Sequence, residues 1–179
     1  MIVIKSKKFI LRPYRKGDEK SLVENINDKN VSKFMLNIPY PYKPKDAKKW
    51  VNNWLKRKKQ NKKDFGFVLN INSSFALDIN SNVVGGIGLN NIEKHKAEIG
   101  YWLGKKYWDK GIMTEAVKLV TNFGFKKLKL RRIYAYIFIR NKVSIRILKK
   151  NGYKYEGLLK KHHLKKGKFI DALLYAKVK

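Results

Sequence analysis

The stretch Glu98-Ile-Gly-Tyr-Trp-Leu-Gly-Lys-Lys-Tyr-Trp-Asp-Lys-Gly-Ile-Met-Thr-Glu-Ala116 decides the fold of this 179-residue chain. It reads as an apolar strand, then a basic loop holding Gly104 and Gly111, then the first turn of a helix. The first N–H groups of a helix lack partners within the helix, and the aligned peptide dipoles favour negative charge there. Gly111 lets the backbone approach a ligand with no side chain in the way. Strand, glycine loop and helix start together make an anion site and predict a phosphate-bearing ligand.

Outward from this stretch the elements follow in order. The helix runs from Gly111 to about Lys126, with Ala116, Leu119, Val120 and Phe123 on one face. Arg132–Ile139 is β-branched and aromatic, hence a strand. Asn141–Lys150 is a helix stopped by Asn151-Gly152. Tyr153–His163 and Phe169–Val178 are closing strands around a Lys166-Gly167 turn. Upstream, Lys8–Tyr14 is a strand, Asp18 caps a helix over Glu19–Ile26, and Asn30–Leu36 is a short helical piece. Pro39, Pro41 and Pro44 break the backbone before a helix over about Lys45–Gln60, with Ala47, Trp50, Val51, Trp54 and Leu55 on its apolar face. Asp64–Ile71, Phe75–Ile79 and Val83–Leu89 read as a meander, and Ala97–Leu103 is the next strand. Strand, helix and strand in the centre with hairpins on either side mean a mixed α/β sheet.

The motifs resemble the GNAT N-acetyltransferases, in particular the branch of ribosomal-protein N-terminal (alanine/serine) acetyltransferases. That branch reads strand-Gly-Tyr-Trp, then Tyr-Trp-x-x-Gly-x-x-Thr-Glu-Ala opening a helix. Tyr101, Trp102, Tyr107, Trp108, Gly111, Thr114, Glu115 and Ala116 match. Downstream, Asn141-Lys-Val-Ser144, Leu148-Lys-Lys-Asn-Gly152-Tyr153, Glu156-Gly157 and Asp171-Ala-Leu-Leu-Tyr175 match in order. Leu11-Arg12-Pro13 and Tyr40-Pro41-Tyr42 also fit. The resemblance implies a single GNAT (acyl-CoA N-acyltransferase) domain over residues 1–179. Its mixed, mostly antiparallel sheet would be split between its fourth and fifth strands, Ala97–Leu103 and Arg132–Ile139, and flanked by helices.

The same resemblance implies acetyl-CoA as co-substrate and no metal. Backbone groups of Tyr101, Trp102 and Leu103 would hold the pantetheine amides by strand addition. The diphosphate would lie on the N–H groups of Trp108, Asp109, Lys110, Gly111, Ile112 and Met113, with Thr114 completing the helix start and Lys105, Lys106 and Lys110 adding charge. Trp108 and Met113 depart from the Arg/Gln and Gly/Ala found in many members. Asn141 would lie beside the pantetheine and Ser144 near the thioester sulfur, where it serves the departing thiolate, with Tyr153 and Tyr155 as alternatives. Glu98 is the candidate general base, partial burial raising its pKa. Its alternative role is an ordinary exposed strand residue paired with lysine, and Glu93 is the weaker candidate. Glu115 is read as structural. Asp171 needs a partner, Arg12 or His162, or else contacts the substrate amine. His162 and His163, in a regular strand, point to opposite faces.

Composition sets the limits. A hydrophobic fraction of 44% with 13% aromatics fits a folded domain. The absence of cysteine excludes disulfides and a thiolate nucleophile, and three histidines argue against a zinc site. No apolar run is long enough to span a bilayer, and the expected location is the cytoplasm. The net charge of +30, from 43 basic and 13 acidic residues, repels cationic substrates and attracts acidic proteins, nucleic acid and CoA phosphates. Lysine spread along the whole chain favours compositional drift over a dedicated polyanion surface. The acceptor expected is the N-terminal amine of a protein, acidic or ribosome-associated, for a monomer or homodimer with no membrane partner. The alternatives are a small-amine or antibiotic N-acetyltransferase, or a non-catalytic GNAT-like module binding RNA or ribosomes.

Overall fold

The computed structural model describes residues 2–59, 64–71 and 82–179. These form β1 (Ile4–Lys5), β2 (Ile10–Arg12), α1 (Glu19–Ile26), α2 (Lys29–Ser32), α3 (Pro44–Lys59), β3 (Phe65–Asn70), β4 (Val83–Glu93), β5 (Lys96–Leu103), α4 (Ile112–Lys126), β6 (Arg132–Phe138), α5 (Lys142–Lys150), β7 (Lys154–Lys165) and β8 (Lys168–Val178). The strands join in the order β1-β2-β3-β4-β5-β6-β8-β7. β5 and β6 run parallel, while β1–β2, β2–β3, β6–β8 and β7–β8 are antiparallel. This is the mixed sheet that the motifs imply. The strands expected as fourth and fifth are β5 and β6 here, because Ile4–Lys5 adds a strand ahead of them. The expected strand Phe75–Ile79 lies outside the described residues.

The chain packs as two compact units, Met1–Gly88 with Tyr101–Ile112, and Leu89–Gly100 with Met113–Lys179. In the first, Leu22 and Ile26 of α1, Ala47 and Val51 of α3, Val68 of β3, Val83 of β4 and Trp102 of β5 share one core with Tyr14, Ile38 and Tyr42. α3 starts where Pro44 needs no N–H partner, and the Asp46 carboxylate accepts the Lys43 N–H at 2.8 Å. Tyr14 stacks on Trp54, with ring centroids 5.5 Å apart and planes 6° from parallel. Gly86 makes room for this aromatic core, since a Cβ there would come within 2.5 Å of Trp102 Nε1 and 2.7 Å of Tyr14 Oη. Burial pushes the Tyr14 hydroxyl pKa up to about 12.

Asp18 corrects an expectation. Its carboxylate does not cap α1. Both oxygens are held by Arg12, at 2.7 and 3.0 Å, and both side chains are buried. A buried carboxylate facing a guanidinium is worth more as a bidentate ion pair than as a helix cap. The pairing also removes Arg12 as a partner for Asp171.

In the second unit α4 lies close on the sheet at Gly124, where a Cβ would come 2.7 Å from Ile133 Cδ1. β6 alternates: Ile133, Ala135 and Ile137 are buried, while Tyr134 and Tyr136 are half-buried on the opposite face. The β7–β8 hairpin turns at Lys166 and Gly167, both at positive φ, as a two-residue hairpin loop requires.

Candidate active site

The loop after β5 belongs to the first unit. Lys105–Tyr107 form one 3-10 turn, closed by the Tyr107 N–H on Gly104 O and the Trp108 N–H on Lys105 O. The Trp108 indole donates to Leu103 O at 2.8 Å, pinning the loop to the end of its own strand. Asp109 and Gly111 then take left-handed φ values of 58° and 72°, which re-aim the chain into α4. The Lys8 ammonium donates to Lys110 O at 3.2 Å, so a fixed positive charge stands beside Gly111. Lys105, Lys106 and Lys110 are exposed. The arrangement is a basic backbone cradle at a helix start, suited to a polyanion.

In the second unit the β5–β6 ladder holds three pairs, Lys96↔Arg132, Ala97↔Ile133 and Glu98↔Tyr134, and stops. Ile99 and Gly100 follow with no β6 partner in the ladder, and β6 continues from Ala135 to Phe138 paired with β8 alone. Glu98 therefore sits where two strands part. It is half-buried, and Asn91 Nδ2 donates to Glu98 Oε2 at 3.0 Å. Burial pushes the carboxyl pKa up, against the Asn91 hydrogen bond and the charge of His162, which pull it down. A partner on β4 and a desolvated carboxylate replace the exposed lysine pair that was the alternative. Glu93 is exposed and paired with Lys96 at 3.1 Å, an ordinary surface bridge.

At the start of α5, Asn141 Oδ1 accepts the Ser144 N–H at 3.1 Å, a side-chain cap. Asn141 and Ser144 thus share one turn, three residues past the end of β6.

The family model described as an acetyltransferase (GNAT) domain matches residues 8–154. The chain belongs to the GNAT acetyltransferases. Members of this family use acetyl-CoA. Among curated relatives, the uncharacterized N-acetyltransferase p20 of Bacillus licheniformis is 38% identical over 99 residues, 54% of this chain and 56% of p20. The uncharacterized N-acetyltransferase YnaD of Bacillus subtilis is 30% identical over 174 residues, 97% of this chain and 95% of YnaD. The ribosomal-protein-serine acetyltransferase of Escherichia coli is 31% identical over 98 residues, 54% and 55% of the two chains. The chain thus spans about half the length of p20 and of the Escherichia coli enzyme in those matches. A solved GNAT-family acetyltransferase from Bacillus anthracis superposes with a TM-score of 0.84 at 26% identity, covering 99% and 98% of the chains.

Within this GNAT domain several expectations gain a physical meaning. Trp108 donates its indole N–H to Leu103 O and its backbone N–H to Lys105 O, both inside the loop. Met113, bulky beside the glycine, is buried, which keeps its side chain off the loop surface. The Tyr153 hydroxyl is buried 2.7 Å from Thr121 Oγ1, and burial drives its pKa up. Glu156 forms an ion pair with Arg132 that reaches across β8 and ties the start of β7 to the start of β6, a structural role for that motif carboxylate. Asp171 finds neither Arg12 nor His162; its Oδ1 accepts the Lys161 N–H at 2.7 Å.

The expectation that His162 and His163 point to opposite faces is corrected. His162 and His163 both lie against β6, with Tyr136 centroid distances of 4.3 and 6.1 Å. The ladder slips between Leu159 and His163, and Lys161 takes φ 51°, so strict alternation fails. Among the described residues no group of three or more His, Asp or Glu could hold a metal ion, and no helix is long and apolar enough to cross a membrane.

Proposed function

We propose that this protein transfers the acetyl group of acetyl-CoA to a primary amine, and that the preferred acceptor is the N-terminal amine of a protein. The observation that carries the reading is the parting of β5 from β6 at Glu98. A strand edge released there can take the pantetheine arm as an added strand, with Tyr101, Trp102 and Leu103 supplying the backbone groups. The amides of Asp109, Lys110, Gly111, Ile112, Met113 and Thr114 receive the diphosphate, helped by the charges of Lys8 and Lys110.

Glu98 takes one proton from the acceptor ammonium. The freed amine attacks the thioester carbonyl, and the oxyanion is met by a backbone N–H of β5. The C–S bond then breaks. The second nitrogen proton goes to the thiolate with Ser144 as the hydrogen-bonding group, while Asn141 holds the turn that presents it. A thiolate whose acid has a pKa of roughly 8.5 needs no strong acid to leave.

The acceptor follows from charge and from relatives. A chain of net charge +30 disfavours polyamines and aminoglycosides and favours acidic proteins. The similarity to the ribosomal-protein-serine acetyltransferase of Escherichia coli points the same way. The test is mass spectrometry of a panel of N-terminal peptides, spermidine and an aminoglycoside incubated with acetyl-CoA. Peptide acetylation ahead of both polycations supports the reading. Faster acetylation of spermidine overturns the choice of acceptor, and no transfer to any amine overturns the activity.

A further inference from the structure

One face of the β7–β8 ribbon carries a row of large, exposed apolar side chains. Leu173 and Tyr175 of β8 are the ladder partners of Ile137 and Ala135, so they lie on the buried face of β6 and not on the face of Tyr134 and Tyr136. Leu158 and Tyr155 of β7 pair with Leu173 and Tyr175, and the Tyr155 ring lies 5.7 Å from that of Tyr175. Phe169 falls on the same side by the two-residue period of β8, and Leu164 is its ladder partner. Tyr175 is buried and Leu173 half-buried, yet the outer row is open: Tyr155 is 53% exposed, Leu158 43%, Leu164 61% and Phe169 64%. Single apolar residues scattered over a surface need no explanation, but a contiguous row on one face marks a contact surface.

α5 lies on the neighbouring strip of the same face. Lys177, the ladder partner of Ile133, donates through Nζ to Asn151 O at the end of α5 at 2.7 Å, and Leu148 of α5 is fully buried. The rest of α5 presents Lys142, Arg146, Lys149 and Lys150, all exposed. Among the described residues no carboxylate forms an ion pair with any of these four. Of the nearby acids, Asp171 accepts the Lys161 N–H and Glu156 is paired with Arg132. An open apolar row thus runs beside a helix of one sign of charge.

We propose that this face docks an acidic amphipathic helix of another protein, laid alongside α5. The dimensions suit one helix. Two paired strands are about 10 Å wide, and the run from Phe169 to Tyr175 is about 20 Å long. That is the width of one helix and the length of about 13 residues of it. The apolar side of the partner covers Leu158, Leu164 and Phe169, while its carboxylates meet the cations of α5. A second copy of this chain suits the face poorly, since it brings another net charge of +30 against the same cations. Glu98 pairs in the ladder with Tyr134, whose side chain is on the other face of the sheet. The docked helix therefore does not take the place of the acceptor amine, and the inference stands apart from the acetyl-transfer reading.

The test is fluorescence anisotropy of a labelled helical peptide of about 14 residues, with leucine along one face and glutamate elsewhere, titrated with the whole protein at low and high salt. A peptide of the same pattern with lysine in place of glutamate is the control. The acidic peptide should bind and the basic one should not, and added salt should weaken the complex. Phe169→Ser should weaken binding about 10-fold or more, as loss of an aromatic anchor does. Lys149→Glu combined with Lys150→Glu leaves the apolar row intact and should weaken it as well. Both variants should melt at the wild-type Tm, since the altered side chains are exposed. No binding of the acidic peptide, equal binding of the two peptides, or wild-type affinity in either variant overturns the proposal. A wild-type dimer in sedimentation that Phe169→Ser breaks overturns it in favour of a second copy on this face.

Discussion

Glu98 and Tyr134 are the last pair of the parallel ladder that joins β5 to β6. A carboxylate rarely closes a buried parallel ladder, since desolvation costs it and nothing in the ladder repays it. Its place at the parting of two strands is what a site needs and what a packed sheet does not. The released β5 edge predicts a hydrogen-exchange signature. Saturating CoA should slow amide exchange at residues 99–103 and 109–114 and leave β7 as it was. Unchanged exchange at 99–103 in protein carrying bound CoA would exclude pairing of the arm with β5.

The hydrogen bond from Asn91 favours the ionised form of Glu98 and so holds down a pKa that burial raises. Asn91→Ala removes that support. The base must be ionised to act, so the acidic limb of the kcat/KM profile should move to higher pH, with the rate on the plateau changed little. A limb that stays in place would mean that a group other than Glu98 is being titrated.

The same burial has a cost in stability. A carboxyl whose folded pKa lies above its unfolded value binds more protons in the folded state, so stability falls as pH rises from the unfolded pKa through the folded one. Glu98→Gln should therefore raise Tm near neutral pH. The gain should vanish at about pH 4 and below, where the carboxyl is protonated in both states. A lower Tm for the variant near neutral pH, by calorimetry, would contradict the desolvated carboxylate.

Arg12 and Asp18 form a buried bidentate pair. Removing one partner leaves the other charge buried and uncompensated, at a cost of about 3–5 kcal/mol. Asp18→Ala should show that loss in urea unfolding of the first unit. A loss of about 1 kcal/mol, the scale of a single helix cap, would return Asp18 to the capping role.

The sequence made the element order and the loop legible because each rests on local chemistry. The helix over Ile112–Lys126 follows from apolar spacing, and the Lys166-Gly167 turn from the glycine. Asp18 misled because a carboxylate before a helix reads as a cap until the distant guanidinium of Arg12 is in place. The facing of His162 and His163 was misread because a bulge is invisible to alternation: the amide that Asp171 captures belongs to Lys161, ten residues earlier on another strand. The parting of β5 from β6 could not be read from the residues alone, since Ala135 and Ile137 are as strand-like as Ile133. It came from the family motifs.

The most direct measurement is the single-turnover rate of acetyl transfer to a preferred peptide, wild type against Glu98→Gln, at a pH on the plateau and at saturating acetyl-CoA. The rate should fall by about 10²- to 10⁴-fold, the contribution of a positioned general base, with acetyl-CoA affinity unchanged. A variant that transfers acetyl at the wild-type rate would contradict the account.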